Sequence, residues 1–187
     1  MAPARSSRDG FAGAERLSPR AQEIVAAARE ALEDDGPEAL SMRRVAERLG
    51  IRAPSIYKHL PDKRSLENAL VSAGFEELAE AFEAALDDAD PLARLAAEYR
   101  RFANEHPHLY RLMTERPLQR DRLAPGVEER AALPVHRAAG GDADRARALW
   151  AFAHGMTVLE LNGRFPPDAD LDAAWACGLA AFRSARC

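Results

Sequence analysis

The sequence predicts an all-α fold of about nine helices, and three observations carry that expectation. Apolar residues recur at spacings of three and four, the period of a helix with one buried face, and no segment alternates as a half-exposed strand would. Ser or Asp, often with Pro directly behind it, opens segment after segment, and glycine, proline or clustered aspartate closes them. At 187 residues, 47% hydrophobic and 30% charged, the chain is large enough for a sizeable core and is not disordered throughout. Its apolar runs fall short of the ~18 residues of a membrane span. Cys177 and Cys187 stand without CxxC spacing or a nearby histidine, so they read as free thiols rather than a zinc site or a disulfide framework.

Residues 1–17 mix Arg, Ser, Gly and Ala without a period and read as a flexible arm. Lacking the apolar stretch of a secretory signal, this N-terminus points to the cytoplasm. A first helix starts at Ser18-Pro19, carries Ile24, Val25, Ala28 and Leu32 inward, and ends at Asp34-Asp35-Gly36-Pro37. Ser41 caps a second, with Val45, Ala46 and Leu49 on one face and Gly50 in the turn after it. A short third helix covers residues 53–59. Pro61 or Asp62 opens a fourth, through Leu66, Leu70, Phe75, Leu78 and Phe82, up to a break at residues 87–90. Asp90-Pro91 starts a fifth to about Glu105, and His106-Pro107 a sixth to about Glu115. After a stretch rich in breakers from Pro117 to Gly126, a seventh covers residues 127–138. Gly140-Gly141-Asp142 caps a long eighth to about Asn162, and Pro166-Pro167-Asp168 precedes the ninth. The expected organisation is an arm (1–17), a three-helix unit (18–65) and a larger helical unit (66–187).

Net charge is -4, but it is unevenly spread. Residues 41–64 hold seven cations (Arg43, Arg44, Arg48, Arg52, Lys58, Lys63, Arg64) against Glu47 and Asp62, a local +5 that leaves -9 for the rest, and they include the only two lysines. Such a cluster is either a solvated helical face or an electrostatic footprint for nucleic acid, and helix spacing favours the second. A DNA-binding helix-turn-helix needs a small residue where its helices cross, a glycine in the turn, and apolar plugs that fix the second helix. Ala46, Gly50 and Ile56 stand at offsets that meet this, and Val45, Leu49 and Ile51 complete the inside. Arg52, Ala53, Pro54, Ser55, Tyr57, Lys58 and His59 then project or graze outward.

With its flanks, the stretch GIRAPSIYKHLPDKRSLENAL closely resembles the recognition-helix region of the TetR family of bacterial regulators. The resemblance implies that Tyr57, His59 and Lys63 anchor DNA phosphates, and a phenol, an imidazole and an ammonium near helix ends are each suited to donate to one. Ser41 can serve likewise. Tyr57 also reads as partly core, and His59 as a structural histidine. Arg52, at the entrance to the recognition helix, has the geometry to read guanine bidentately, with Ser55, Lys58 and Arg43 as further readers. Two positions depart from the family: Leu60 stands where phenylalanine is usual, and Arg52 replaces a small capping residue, leaving the helix start to Pro54.

The likeness is strongest over residues 18–84 and continues more weakly to the C-terminus. There, HPHLYRLM and Trp150-xxx-His154-Gly155 resemble the tryptophan-histidine-glycine type of C-terminal domain, which implies dimerisation and a small-molecule cavity. In the last helix Leu171, Trp175, Leu179 and Phe182 make a bulky stripe beside a small one of Ala174, Cys177, Gly178, Ala181 and Ala185. The eighth helix is apolar nearly all round, so the last two helices pair with their copies in a homodimer or are buried within their own subunit. Tyr99, Phe102, Tyr110, Met113, Trp150, His154 and Val158 are the candidate walls of a ligand cavity, or else ordinary core. No cofactor is expected, and His106 and His108, flanking Pro107, make a weak metal site. The implied function is a DNA-binding repressor released from its operator by a small molecule. A DNA-binding regulator without a ligand is the alternative, and an all-helical enzyme the third, since neither a catalytic set nor a phosphate loop is present.

Overall fold

The computed structural model describes residues 17–184, which form nine α-helices and two 3-10 turns, with no strand among the described residues. The helices are α1 (Pro19–Asp35), α2 (Met42–Arg48), α3 (Ala53–Ile56), α4 (Lys63–Ala85), α5 (Pro91–Glu105), α6 (Pro107–Thr114), α7 (Val127–Ala138), α8 (Ala143–Leu161) and α9 (Leu171–Ser184). The 3-10 turns are Pro37–Ala39 and Arg120–Arg122. Apart from Leu17, the expected arm lies outside the described residues, as do Ala185 and Cys187.

Helix starts are set by the side chains expected to set them. Ser18 accepts from the Ala21 N–H at 3.2 Å, Ser41 from Arg44 at 3.3 Å, Asp62 from Ser65 at 2.7 Å, Asp90 from Ala93 at 3.2 Å, and Asp142 from Asp144 and Arg145 at 2.9 and 3.0 Å. The last helix is capped by Asp170, whose carboxylate accepts from the Ala173 N–H at 2.9 Å, two residues after the Pro166-Pro167-Asp168 run that precedes it. One detail differs. The third helix ends at Ile56, three residues early, and closes with His59 N–H and Leu60 N–H both donating to the Ile56 carbonyl, at 2.8 and 2.9 Å. Leu60 precedes Pro61, and a residue before proline is driven out of helical dihedrals.

The long helix α4 is the axis of the molecule: α1, α5, α6 and α7 all pack on it, while α8 packs on α5, α7 and α9. Its first turn already carries residues 63–65, so the expected division after residue 65 falls inside a continuous helix. One apolar core runs from Ile24 and Leu32 through Leu66, Leu70 and Leu109 to Leu149, Trp175 and Leu179. Two glycines permit close helix approach. A Cβ on Gly74 would stand 2.5 Å from the Met113 sulfur, and one on Gly178 would stand 2.1 Å from the Phe152 ring. Arg100 of α5 grips Glu160 of α8 at 2.8 Å and Asp172 of α9 at 2.5 Å, with its guanidinium over the Trp175 ring.

The helix α6 has no cap of its own, because His106 offers no side-chain bond to it. Glu33 of α1 supplies one from 75 residues away: its carboxylate accepts from the backbone N–H of Leu109 at 2.8 Å and of His108 at 3.3 Å, where the helix dipole also favours an anion. This links the three-helix unit to the rest. Glu33→Ala leaves two half-buried donors unpaired and is expected to cost about 1–3 kcal/mol of unfolding free energy. Denaturant titration measures that cost, and hydrogen exchange should quicken at His108 and Leu109; an unchanged midpoint would remove Glu33 from this role.

Candidate nucleic-acid interface

The turn between α2 and α3 is fixed by backbone geometry. Gly50, at φ +65°, donates its N–H to the Glu47 carbonyl at 3.1 Å, and Ile51 donates to Ala46 at 3.0 Å, which is the paired Schellman closure of a helix through a left-handed residue. Nothing lies within 4 Å of a Cβ built on Gly50, so the positive φ rather than crowding calls for glycine here. Val45, Ala46, Ile56 and Leu60 are buried beneath the turn, and the expected inside residues Leu49 and Ile51 are half-buried against them. Leu60 thus fills the plug position without an aromatic ring.

The opposite side of the unit faces solvent. Arg43, Arg52, Pro54, Ser55, Lys58, His59 and Lys63 are exposed, Tyr57 is 50% exposed, and Ser41 and Ala53 are half-buried. Tyr57 therefore stands outside the core. No side chain caps α3 at Arg52, and Pro54 occupies its first turn, as expected. The cations divide by their partners. Arg48 turns to α1, pairing with Asp34 at 2.6 Å and Glu30 at 3.3 Å, and serves the fold. Arg43 pairs with Glu47 at 2.9 Å, and Lys63 more loosely with Glu67 at 3.7 Å. Arg44, Arg52, Lys58 and Arg64 form no ion pair with the described residues, so their charge is available to a partner. Arg44 and Arg64 were counted in the basic window but not singled out as contacts; having no acid at ion-pair distance is a three-dimensional property. Ser41 uses an oxygen lone pair on the Arg44 N–H and keeps its O–H to donate.

Of the expected ligand walls, the fold brings four together. The Tyr110 hydroxyl and His154 Nδ1 share a hydrogen bond at 2.7 Å, and the Tyr99 hydroxyl lies 3.1 Å from that of Tyr110; Trp150 stacks on His154 with centroids 5.7 Å apart. Burial pushes the Tyr99 phenol up to about 12, against the opposing effect of its bonds to Tyr110 and Trp150, and raises Tyr110 as well. Burial also holds the His154 imidazole below its usual value, which favours its neutral form near neutral pH. Tyr99, Tyr110, Phe102 and Met113 are all buried, whereas Trp150 is 53% exposed and Val158 half-buried. Phe102 meets the His106 ring edge-on, and Met113 lies against Gly74 of α4, both within the same apolar core as Tyr99 and Tyr110. His106 and His108 meet acids from distant parts of the chain: Glu77 is 3.4 Å from His106 Nε2, and Glu33 caps the helix at His108. Glu77 is also bound by Arg29, and no cluster of three or more metal-binding side chains occurs among the described residues.

Two family models match this sequence: bacterial regulatory proteins of the tetR family over residues 24–70, and the tetracyclin repressor-like C-terminal domain over residues 92–182. An HTH-type transcriptional regulator of Saccharopolyspora erythraea is 37% identical over 95 residues, which is 51% of this chain; the match spans 40% of that relative's length. An HTH-type transcriptional regulator of Mycobacterium tuberculosis is 28% identical over 167 residues, 82% of this chain and 75% of the relative. Among solved structures, a TetR variant from Acinetobacter baumannii AYE in complex with minocycline is 27% identical with a TM-score of 0.59, covering 85% of this chain and 91% of that one.

The His154 arrangement carries a pH dependence. As pH falls, the unfolded chain binds the imidazole proton before the folded chain does, so stability is full above about pH 6.5 and declines below it. Between about pH 7.5 and 5.5 the wild-type Tm should fall further than that of His154→Gln, which lacks the titrating group. Equal decreases in the two proteins would contradict the lowered affinity of the folded-state His154 for its proton.

Proposed function

Since the chain belongs to the TetR family of bacterial DNA-binding transcription regulators, we propose that it is a homodimeric repressor that holds operator DNA through residues 41–63 and releases it on binding a small molecule. The observation that carries the DNA reading is the solvent-facing side of the helix-turn-helix, where Arg52 and Lys58 have no acid partner and Ser55, Tyr57 and His59 stand exposed beside them. Tyr57, His59, Lys63 and Ser41 hold phosphates in this reading, while Arg52 reads base edges, helped by Ser55, Lys58 and Arg43. Ala53 and Pro54 shape the backbone that approaches the groove. Lys63 gives up only a long surface ion pair, worth about 0–1 kcal/mol, to reach a phosphate.

Dimerisation through α8 and α9 is supported by their outward faces. Trp175 and Leu179 are buried inside the subunit, while Ala174, Cys177 and Ala181 on α9 and Ala151 and Leu159 on α8 are exposed. Two copies related by a two-fold axis would bury these small apolar faces as a four-helix contact. Trp150 and His154, stacked and partly open, are the proposed effector side of the tyrosine pair. The minocycline complex of a related TetR protein supports a small-molecule effector of some kind. A second reading, regulation without a small molecule, is favoured by the burial of Tyr99, Phe102, Tyr110 and Met113, all at most 7% exposed, as a filled core would be. In either reading the protein acts in the cytoplasm, is not an enzyme, and divides its work between residues 18–65 on DNA and 66–187 in regulation. No helix of the described residues is long and apolar enough to cross a membrane.

The test is titration of the full chain with a duplex selected from a random pool, at several salt concentrations. Lys63→Ala is expected to weaken selected and scrambled duplexes alike and to flatten the log K against log salt slope by roughly 1 per lost phosphate contact. Arg52→Ala should cost about 1–3 kcal/mol on the selected duplex and far less on the scrambled one. An unchanged slope for Lys63→Ala would overturn the phosphate assignment, and an equal loss on both duplexes for Arg52→Ala would overturn its reading role.

A further inference from the structure

A groove of about 290 Å³ opens between the first turns of α4 and the connection that follows α6, and neither Tyr110 nor His154 lines it. That volume is at the small end of the range for small-molecule sites, roughly 300–1,000 Å³. Val71 and Met113 form a buried apolar floor, continued by half-buried Leu112 and Leu118. Two guanidiniums line it as well. Arg64 forms no ion pair with the described residues, and Arg116, whose side chain is 63% exposed, reaches Glu67 at 3.2 Å. An apolar floor beside two guanidiniums, Arg64 with only the longer-range charge of Asp62 and Arg116 mostly exposed, fits a ligand with a hydrocarbon body and an anionic head, because guanidinium binds carboxylate in a planar, two-bond fork.

We propose that this groove binds a small amphipathic carboxylate, and that its occupation weakens DNA binding through Glu67. The Glu67 side chain, only 17% exposed, is shared: Arg116 approaches it from the α6 side, and Lys63 from one turn earlier on α4, at 3.7 Å. With Arg116 on Glu67, part of that negative charge is already answered and Lys63 is loosely held, ready for a phosphate. A carboxylate that takes Arg116 leaves Glu67 to Lys63 alone, and it adds its own negative charge beside Arg64 and Lys63. Both effects oppose the approach of DNA. Linkage requires the converse: bound DNA must weaken the carboxylate by the same factor. The proposal rests on the phosphate role of Lys63, and it adds a second effector site to the one proposed at Trp150 and His154.

The experiment uses the full chain and octanoate as the probe, with octanol (the same body, no charge) and acetate (the same head, no body) as controls, all at constant ionic strength. Calorimetry reads octanoate binding, and fluorescence anisotropy reads the Kd for the selected duplex. Saturating octanoate is expected to weaken that duplex at least fivefold, within the usual range of coupling between sites, while octanol and acetate leave it unchanged. Arg116→Gln should bind octanoate at least tenfold more weakly and, with Glu67 left to Lys63, bind DNA more weakly even without octanoate. Glu67→Gln should still bind octanoate but lose most of its effect on DNA. Octanoate that fails to bind, binds without changing the duplex Kd, or acts undiminished on Arg116→Gln would overturn the proposal; the last of these would place the anion elsewhere, as at Trp150. Failure of the Lys63 premise is separately visible, because it would leave the salt slope of Lys63→Ala unchanged in the absence of any octanoate.

Discussion

A helix of four residues has no stability of its own. Nucleation alone defeats it, and isolated helices shorter than ~12–15 residues are marginal even in favourable sequences. The DNA-facing part of this chain depends on holding such a helix, α3, at one angle. Three features do so. The left-handed turn at Gly50 sets the direction in which the chain leaves α2, Ile56 is fully buried against the α1–α2 core, and Leu60 is sunk beside it just before Pro61 stops the helix. Because α4 begins only three residues after Leu60, the far end of the recognition segment is tied to the longest helix in the molecule. Any movement of α4 is therefore a movement of the DNA-facing surface.

The electrostatics follow the same division. Several arginines outside residues 41–64 join helices: Arg29 to Glu77, Arg100 to Glu160 and Asp172, Arg130 to Glu83. Within the window, Arg48 is used in this way, and the cations on the outward surface are left unpaired or weakly paired. A net charge of -4 and a DNA-binding surface are thus compatible, because acids elsewhere answer structural arginines rather than screening the interface. Two acids span the junction between the DNA-facing unit and the rest. Glu33 reaches from α1 to the start of α6, and Glu67 stands on α4 between Lys63 and Arg116.

Much of the fold was legible in the sequence because its signals are local. Ser18, Ser41, Asp62, Asp90 and Asp142 cap within three residues of themselves, and the positive φ of Gly50 follows from its place at the end of α2. Local signals also misled: the third helix reads as residues 53–59, whereas it ends at Ile56, ahead of the Leu60-Pro61 break. Contacts across the chain left no such trace. Nothing near Glu33 announces that it caps a helix beginning at Pro107, and nothing near Glu67 points to Arg116. The aromatic candidates show the same limit from the other side. Trp150 and His154 are one turn apart on one helix, so their stacking could be read, and their aromatic side chains grouped them with Tyr110. Neither signal says that Met113, three residues beyond Tyr110, turns to Gly74.

The central claim is that α3 lies in the major groove of DNA and that two copies do so together. Methylation-protection footprinting of the full chain on its selected duplex tests this most directly. The account predicts guanine N7 protection at two half-sites related by a two-fold axis, with centres about 10 base pairs, or one helical turn, apart or a multiple of that. Binding that leaves every guanine N7 open to methylation, or protects a single unrepeated site, would contradict it.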